Sequence, residues 1–534
     1  MEREVIHRRR WAILGVLIFS LLVVVLDNTI LNVALKIISN PKNDPAAPGL
    51  GATQSDLEWA INSYTLVFAG LLFTFGIIGD RFGRRKILMA GMIGFGVASV
   101  LCAYAGSPGE LIATRALMGF FGAAIMPATL AIIANVFEPK EQAKAIGMWA
   151  GGVGLAVAIG PVLGGLLLDH FWWGSVFLIN VPIIIVALIA MAILVPDSKN
   201  PEPGRLDPVG VVLSMAGIVV FVYGIIRGAD VGWGNPQIWG SLAGGVLLCA
   251  LFVFWELRTD HPALDVRLFK SSRPFSASII LVAMSFFAMM GVLFFLSFYL
   301  QSVRGFSPLK AGLYMTPFAL AQLIFSPMSA KLVQKFGARA VSTFGMLVIA
   351  LTFLMYQFVN QDSSALLLIA IFFLQGMGMA NVMPPATTTI MTSLPREKAG
   401  VGSSVSNTVR QVGGALGVAV LGTLLTTAYR GRMKDPLGGV VKDPSALHNL
   451  DGSIQATKGG GAQHPQLHLE RFYPQADAAF IHAMHVTVVV SAAVALLAAV
   501  IALAWLPRRS SGARDAAPRG GESSAATTEA AGVA

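Results

Sequence analysis

The sequence predicts an all-α membrane protein with 14 transmembrane helices, built as two six-helix parallel repeats with two extra helices inserted between them. Composition is the first observation behind this fold class: 55% of the 534 residues are hydrophobic and 12% are charged, whereas soluble domains carry about 25% charged residues. The second is a series of apolar segments that reach the ~20 residues needed to cross a bilayer as a helix. The third is an internal repeat.

The predicted spans divide the chain into three parts and a tail. We expect an N-terminal six-helix bundle in residues 1–200, two inserted helices in 201–260, and a C-terminal six-helix bundle in 261–506 that includes a flexible external loop at 429–481. Residues 507–534 are rich in Ala, Gly, Ser and Arg, which predicts a disordered cytoplasmic tail. The spans lie at about 12–36, 57–79, 86–105, 110–134, 142–167, 174–196, 207–227, 237–256, 276–300, 310–333, 340–358, 365–390, 400–428 and 482–506.

The distribution of positive charge predicts the orientation. An even number of spans places both termini on one side, and most of the 38 Lys and Arg residues lie on that side or in the tails. The positive-inside rule therefore predicts cytoplasmic N- and C-termini in the cell membrane. The net charge of +10 is explained by this topology, so nucleic acid is not expected as a partner.

The internal repeat predicts how the two halves are related. Residues 117–127 recur at 374–384, residues 139–143 at 395–399, and residues 82–85 at 336–339. Because each copy holds six spans, both copies run in the same direction. Parallel repeats related by an axis along the membrane normal are a recurrent transporter plan, with the substrate bound near the midplane between them.

An ionisable pair lies at one depth of the first half. Asp27 follows an apolar run in span one, and Arg115 lies near the outer start of span four. At helical rise, both lie about 22 Å from the inner face of a ~30 Å hydrocarbon core. A charge at that depth is costly, which indicates a function; the alternative is a structural pair in a helix bundle. Among the acidic residues, Asp27 is the one that we place well inside a span.

The loop between spans two and three is predicted to be a cytoplasmic gate. Its glycines allow a tight turn, and Asp80 can pair with Arg84 or with cations on a neighbouring loop. Such a cluster would hold one gate closed and break when the halves rock; a plain positive-inside turn is the alternative. The loop residues in this prediction are Gly76, Asp80, Arg81, Gly83, Arg84 and Arg85.

Span five contains a proline among closely spaced glycines: Gly160, Pro161, Gly164 and Gly165. Proline removes a helix hydrogen bond, and small residues let helices approach closely. We interpret this span as a bendable helix that seals the interface between the halves. Ordinary small-residue packing is the alternative.

These motifs resemble those of the major facilitator superfamily. The 76–86 loop is similar to its signature loop, and Arg115-Ala116-Leu117-Met118-Gly119 to its fourth-span motif. Residues 26–35 and 160–165 resemble the first-span and fifth-span motifs of the fourteen-span drug:proton antiporters. Met118 departs from this pattern, since the family often has Gln there. The resemblance implies multidrug or antibiotic efflux.

Several polar and aromatic residues are candidates for a substrate cavity, because aromatic walls suit amphiphilic ligands. Aromatic residues in membrane helices are also often packed or lipid-facing. The candidates are Trp59, Asn62, Tyr64, Phe287, Phe294, Gln301, Gln375 and Arg410.

Other function classes lack their residues. No Gly-Lys pair is present for an ATP-binding phosphate loop. The two cysteines and eight histidines form no catalytic or metal-ligating pattern, so we expect neither an enzyme nor a metal or cofactor.

We therefore expect a monomeric, proton-coupled efflux antiporter whose partners are a small-molecule substrate, protons and the lipid bilayer. The alternatives are a dedicated exporter of one endogenous metabolite or lipid, and a membrane sensor without transport.

Overall fold

The computed structural model describes residues 2–42, 44, 47–199, 207–259, 266–393, 399–463 and 468–507. Every regular element in these ranges is helical, which confirms the predicted all-α class. The helices are α1 (Glu2–Ser39), α2 (Gln54–Phe82), α3 (Arg84–Ala103), α4 (Pro108–Val136), α5 (Pro139–His170), α6 (Ser175–Leu178), α7 (Asn180–Leu194), α8 (Pro208–Val231), α9 (Pro236–Arg258), α10 (Arg267–Ser271), α11 (Arg273–Phe298), α12 (Pro308–Met355), α13 (Ala365–Thr392), α14 (Ala399–Gly438), α15 (Pro444–Leu450), α16 (Ile454–Gln463) and α17 (Tyr473–Trp505).

Eleven helices in the described ranges are long and apolar enough to cross a membrane, or up to 12 when the bent α2 counts as one span. Helix α12 covers two predicted spans, 310–333 and 340–358. Between them Gly337 has a non-helical backbone with φ 84° and ψ 156°, a conformation that glycine adopts at no steric cost. The count of 14 stays a prediction.

The helices pack into two groups that meet along two seams. In the N-terminal half α1 packs on α5 and α2 on α4; in the C-terminal half α11 packs on α14 and α12 on α13. In the inserted pair, α8 packs on α9 and also contacts α2 and α14. The halves contact each other where α5 meets α12 and where α2 meets α14.

Close contacts between the halves lie at the end where α1 ends and α2 begins, which we call the outer end after its predicted orientation. There Gln301, in a π-helical turn after α11, donates from Nε2 to the carbonyl of Val33 at 2.9 Å. A side chain on Gly165 would overlap the backbone of Leu309, and one on Gly312 would overlap the carbonyl of Pro161. These backbone approaches close the outer end.

The segment after α14 was predicted to be a flexible external loop, and its described residues correct this prediction. Helix α14 continues to Gly438, α17 begins at Tyr473, and two short α-helices and one 3-10 turn (Leu469–Phe472) lie between them. We call α15 and α16 the cap. Arg430 pairs with Asp451 at 2.9 Å, and Lys458 donates to the carbonyl of Ser302 at 2.8 Å. Polar contacts of this kind order the segment, and the apolar pattern of its sequence does not predict them.

The predicted disordered tail lies outside the described residues from position 508 onwards.

Candidate functional site

Asp27 lies in the middle of the long α1, surrounded by other polar residues that bond within their own helix. Asn28 donates to the carbonyl of Val24 at 2.8 Å, and Thr29 to that of Val25 at 3.1 Å. Returning bonds of this type satisfy a polar side chain locally. Asp27 instead reaches a neighbouring helix.

Its partner is Arg115 on α4. Nη1 of Arg115 lies 2.5 Å from Oδ2 of Asp27, and both side chains are 1% exposed. Nε of Arg115 donates to the carbonyl of Ala60 on α2 at 3.1 Å. The guanidinium carbon lies 4.3 Å from the ring centroid of Tyr64, within cation–π range. One arginine therefore ties α1, α2 and α4 together.

The arrangement leaves specific atoms unsatisfied. Oδ1 of Asp27 and the hydroxyl of Tyr64 have no hydrogen-bond partner among the described residues. Met118 presents its sulfur 3.9 Å from Nη1 of Arg115, a weak acceptor where a glutamine would be a strong one. Buried polar atoms normally have partners, so Oδ1 is an unsatisfied acceptor in this conformation.

The predicted gate loop braces its own half in this conformation. Asp80 pairs with Arg84 at 2.8 Å, and Arg84 donates to the carbonyl of Ala131 on α4 at 3.0 Å. Arg85 donates to the carbonyl of Val195 at 3.0 Å. These contacts all stay within the N-terminal half. The exposed Arg81 extends from the same turn.

Two loop glycines have different surroundings. Gly83 has φ 119°, and a side chain there would lie 2.8 Å from Oδ1 of Asp197. A side chain on Gly76 would lie in ordinary van der Waals contact with Pro127 on α4, at 3.7 Å. The tight turn therefore requires glycine at position 83 in particular.

The span-five glycines face two different helices. A side chain on Gly160 would overlap Thr29, and one on Gly164 would lie 2.8 Å from Ile30, both on α1. Gly165 and the carbonyl of Pro161 face α12 across the seam between the halves. This stretch sits between the helix of Asp27 and the opposite half.

Three amide side chains among the predicted cavity residues are buried and incompletely bonded. Both polar atoms of Asn62 and both of Gln375 have no partner among the described residues, and Oε1 of Gln301 is also free. Buried amides usually bond to protein or to ordered water. These residues fit a polar lining that water or substrate would satisfy.

The predicted aromatic residues are not gathered at one place. Tyr64 joins the Asp27–Arg115 pair, but Trp59 lies against Tyr223 of α8 with ring centroids 6.3 Å apart. Phe294 is fully buried against Phe298. The backbone of Phe287 packs against α14.

Arg410 on α14 lies beside an aromatic ring. Its guanidinium carbon is 5.5 Å from the ring centroid of Phe286 on α11. No acidic side chain in the described ranges forms an ion pair with it.

Two further acids, in α2 and α9, are buried, both near the end of a helix. Glu58 on α2 is 2% exposed and Glu256 on α9 is fully buried. Glu58 was missed because it is the second residue of the predicted span 57–79. The helix begins at Gln54, about one turn earlier, which carries Glu58 into the packed region.

Comparisons with known proteins agree with this architecture. A model of the Major Facilitator Superfamily matches residues 17–418. The multidrug efflux pump LfrA of Mycolicibacterium smegmatis is 35% identical over 494 residues, covering 92% of this chain and 95% of that protein. The tetracenomycin C resistance and export protein of Streptomyces glaucescens is 34% identical over 508 residues, covering 93% and 91%.

A solved structure with a similar fold is a bacterial homologue of the human lysosomal transporter Spinster, in an inward-facing and unoccupied conformation. Its TM-score is 0.66 at 18% identity, covering 92% of this chain and 96% of that one. The family match spans most of the chain and includes both residues of the buried ion pair. The chain therefore belongs to the Major Facilitator Superfamily and is a membrane transporter rather than an enzyme.

Proposed function

We propose that this transporter is a proton-coupled antiporter that exports small amphiphilic organic compounds, drugs and antibiotics among them, across the cell membrane by alternating access. The buried ion pair between Asp27 and Arg115 carries the proposal, because it is a titratable carboxylate at the expected depth of the bilayer. LfrA is a multidrug efflux pump and the tetracenomycin C protein is a resistance and export protein, which supports export as the direction.

The chemistry of the pair supports proton exchange. The charge and the hydrogen bond of Arg115 stabilise the carboxylate form of Asp27. Burial alone favours the neutral acid, and a neighbouring cation favours the carboxylate. Opening the cavity to water on one side changes both influences, so Asp27 can take up a proton on one side of the membrane and release it on the other.

Arg115 keeps other partners when Asp27 is neutralised. The carbonyl of Ala60 and the ring of Tyr64 hold the guanidinium in place, so the cation need not leave the site. A substrate that competes for the carboxylate or shifts Arg115 then makes the exchange obligatory.

The remaining predicted parts have roles in the same cycle. The 76–86 loop is proposed to act at the cytoplasmic gate, and Gly160 to Gly165 to seal the seam that α5 forms with α12. Asn62, Gln301 and Gln375 are proposed to contact the substrate. The transporter is proposed to work as a monomer with both termini in the cytoplasm.

The test is transport in proteoliposomes with an imposed pH gradient and ethidium as the probe substrate. Asp27→Asn should abolish uptake driven by the gradient, while ethidium still binds in a fluorescence titration. Asp362→Asn, which removes an exposed acid at the outer end, should leave transport unchanged. Full gradient-driven transport by Asp27→Asn would overturn the proposal.

A further inference from the structure

Glu58 is a buried acid with no role in the pair described above. It lies on the first turns of α2 at the outer end and is 2% exposed. None of the described residues donates a hydrogen bond to it or pairs with it as a cation. A side chain on Gly422 of α14 would overlap its Oε1. The carboxyl is therefore packed directly against the opposite half.

The charged groups around Glu58 do not neutralise it. The charge that acts on it most is Asp230 at the end of α8, which is also acidic. Arg227 on α8 pairs with Asp230 at 3.9 Å. Arg430 on α14 is held by Asp451 and by the carbonyl of Ala229. Glu58 thus faces one like charge. Arg430 and Arg227 both act on Asp230, and neither forms an ion pair with Glu58 among the described residues.

A carboxylate cannot stay ionised in such surroundings without a large cost, because burying an unpaired charge is far more costly than burying a neutral hydroxyl. The close contact between α2 and α14 therefore favours the protonated form. When the seam opens, water reaches Glu58, and hydration stabilises the carboxylate.

We infer that Glu58 is a second proton-binding site, which latches the outer end closed while it holds a proton from the outside and releases the seam when it ionises. This inference rests on the alternating access in the proposed function and adds a site remote from the Asp27–Arg115 pair. Gly422 makes room for the carboxyl where α2 and α14 meet, because a side chain there would overlap its Oε1.

The latch accounts for the order of events in an exporter. An outward-open transporter that has taken up external protons closes its outer end, because neutral Glu58 can be buried. A transporter that has not taken up external protons stays open, because ionised Glu58 resists burial against α14. Closure is thereby conditional on proton loading.

The test measures the outer end directly, with no substrate. Spin labels at Gly109→Cys on α4 and Gln361→Cys before α13 report the separation of the halves by double electron–electron resonance. Gly109 is exposed with open space around it, and Gln361 is exposed. The background carries alanine at Cys102 and Cys249.

For the labelled parent protein, which retains Glu58, we expect a short distance between the labels at pH 5. The population with a long distance should grow towards pH 9. Glu58→Gln should keep the short distance at every pH. Glu110→Gln, which removes an exposed outer-end acid of α4, should behave like the parent.

Two results would overturn the latch. One is an unchanged pH dependence in Glu58→Gln. The other is loss of the pH dependence in Asp27→Asn, which would make Asp27 the titrating group. Because ethidium transport does not enter this measurement, a failed latch and a failed antiport mechanism are told apart.

Discussion

Asp27 and Arg115 form an ion pair in which both side chains are 1% exposed, although 88 residues separate them in the chain. The pair joins α1 to α4, and Arg115 extends the link to α2 through the carbonyl of Ala60. The contact is structural, and in the proposed function it is also titratable, so mutation can separate the two roles.

Replacement of Asp27 by asparagine should separate binding from coupling. The amide keeps the size of the carboxyl and cannot exchange a proton, so gradient-driven ethidium transport should fall at least about tenfold, the equivalent of about 1.4 kcal/mol. The ethidium dissociation constant should change less. Asp362→Asn is the control, and equal transport by both variants would contradict this prediction.

Removal of Arg115 should destabilise the fold more than removal of the whole pair. Arg115→Gln leaves the Asp27 carboxylate buried without a cation, and breaking such a pair costs about 3–5 kcal/mol. In Asp27→Asn/Arg115→Gln that carboxylate is absent. Thermal unfolding in detergent should therefore give a higher midpoint for the double variant than for Arg115→Gln. A lower midpoint for the double variant would refute the coupling.

Substitution by alanine should destabilise the protein at Gly83 but not at Gly79. Its φ of 119° is unfavourable for other residues, at a cost of about 1–3 kcal/mol, and a side chain would approach Asp197 at 2.8 Å. Gly79 is helical with nothing near its side-chain position. Gly83→Ala should lower the unfolding midpoint and the transport rate, with Gly79→Ala unchanged or slightly more stable. Equal midpoints would be inconsistent with a strained turn.

The α5–α12 seam should fail to close when a methyl group is added. Alanine at Gly312 would overlap the carbonyl of Pro161, a backbone atom that cannot move aside alone. Spin labels at positions 109 and 361 should then report the long distance at every pH. Gly244→Ala on α9, with Val220 3.9 Å away, should match the parent. A short distance for Gly312→Ala would argue against this seam as the closure.

The cap should lose stability as the pH rises. Burial raises the pKa of Asp451 above its ordinary value of 3.8, and the Arg430 guanidinium opposes that rise. The folded cap then binds more protons than the unfolded one. The contribution of Asp451 to stability is therefore fully present below pH 3.8 and is lost as the pH rises through the raised value.

Hydrogen exchange of the amides in 444–463, corrected for the intrinsic pH effect, measures this change. Protection should decrease with pH in the parent. Asp451→Asn should flatten the dependence, whereas Asp435→Asn, an exposed acid nearby, should retain it. A protection that increases with pH in the parent would reverse the assigned sign.

The sequence by itself determined the helical class, the membrane environment and the family, because apolar run length and short glycine–arginine motifs are local properties of the chain. It also placed Asp27 and Arg115 at one depth, since helical rise converts residue number into distance. The tertiary structure alone decided which distant groups meet. Glu58 against Gly422, Gln301 against Val33 and the order of the cap all depend on how separate helices pack, and no spacing along the chain encodes those distances.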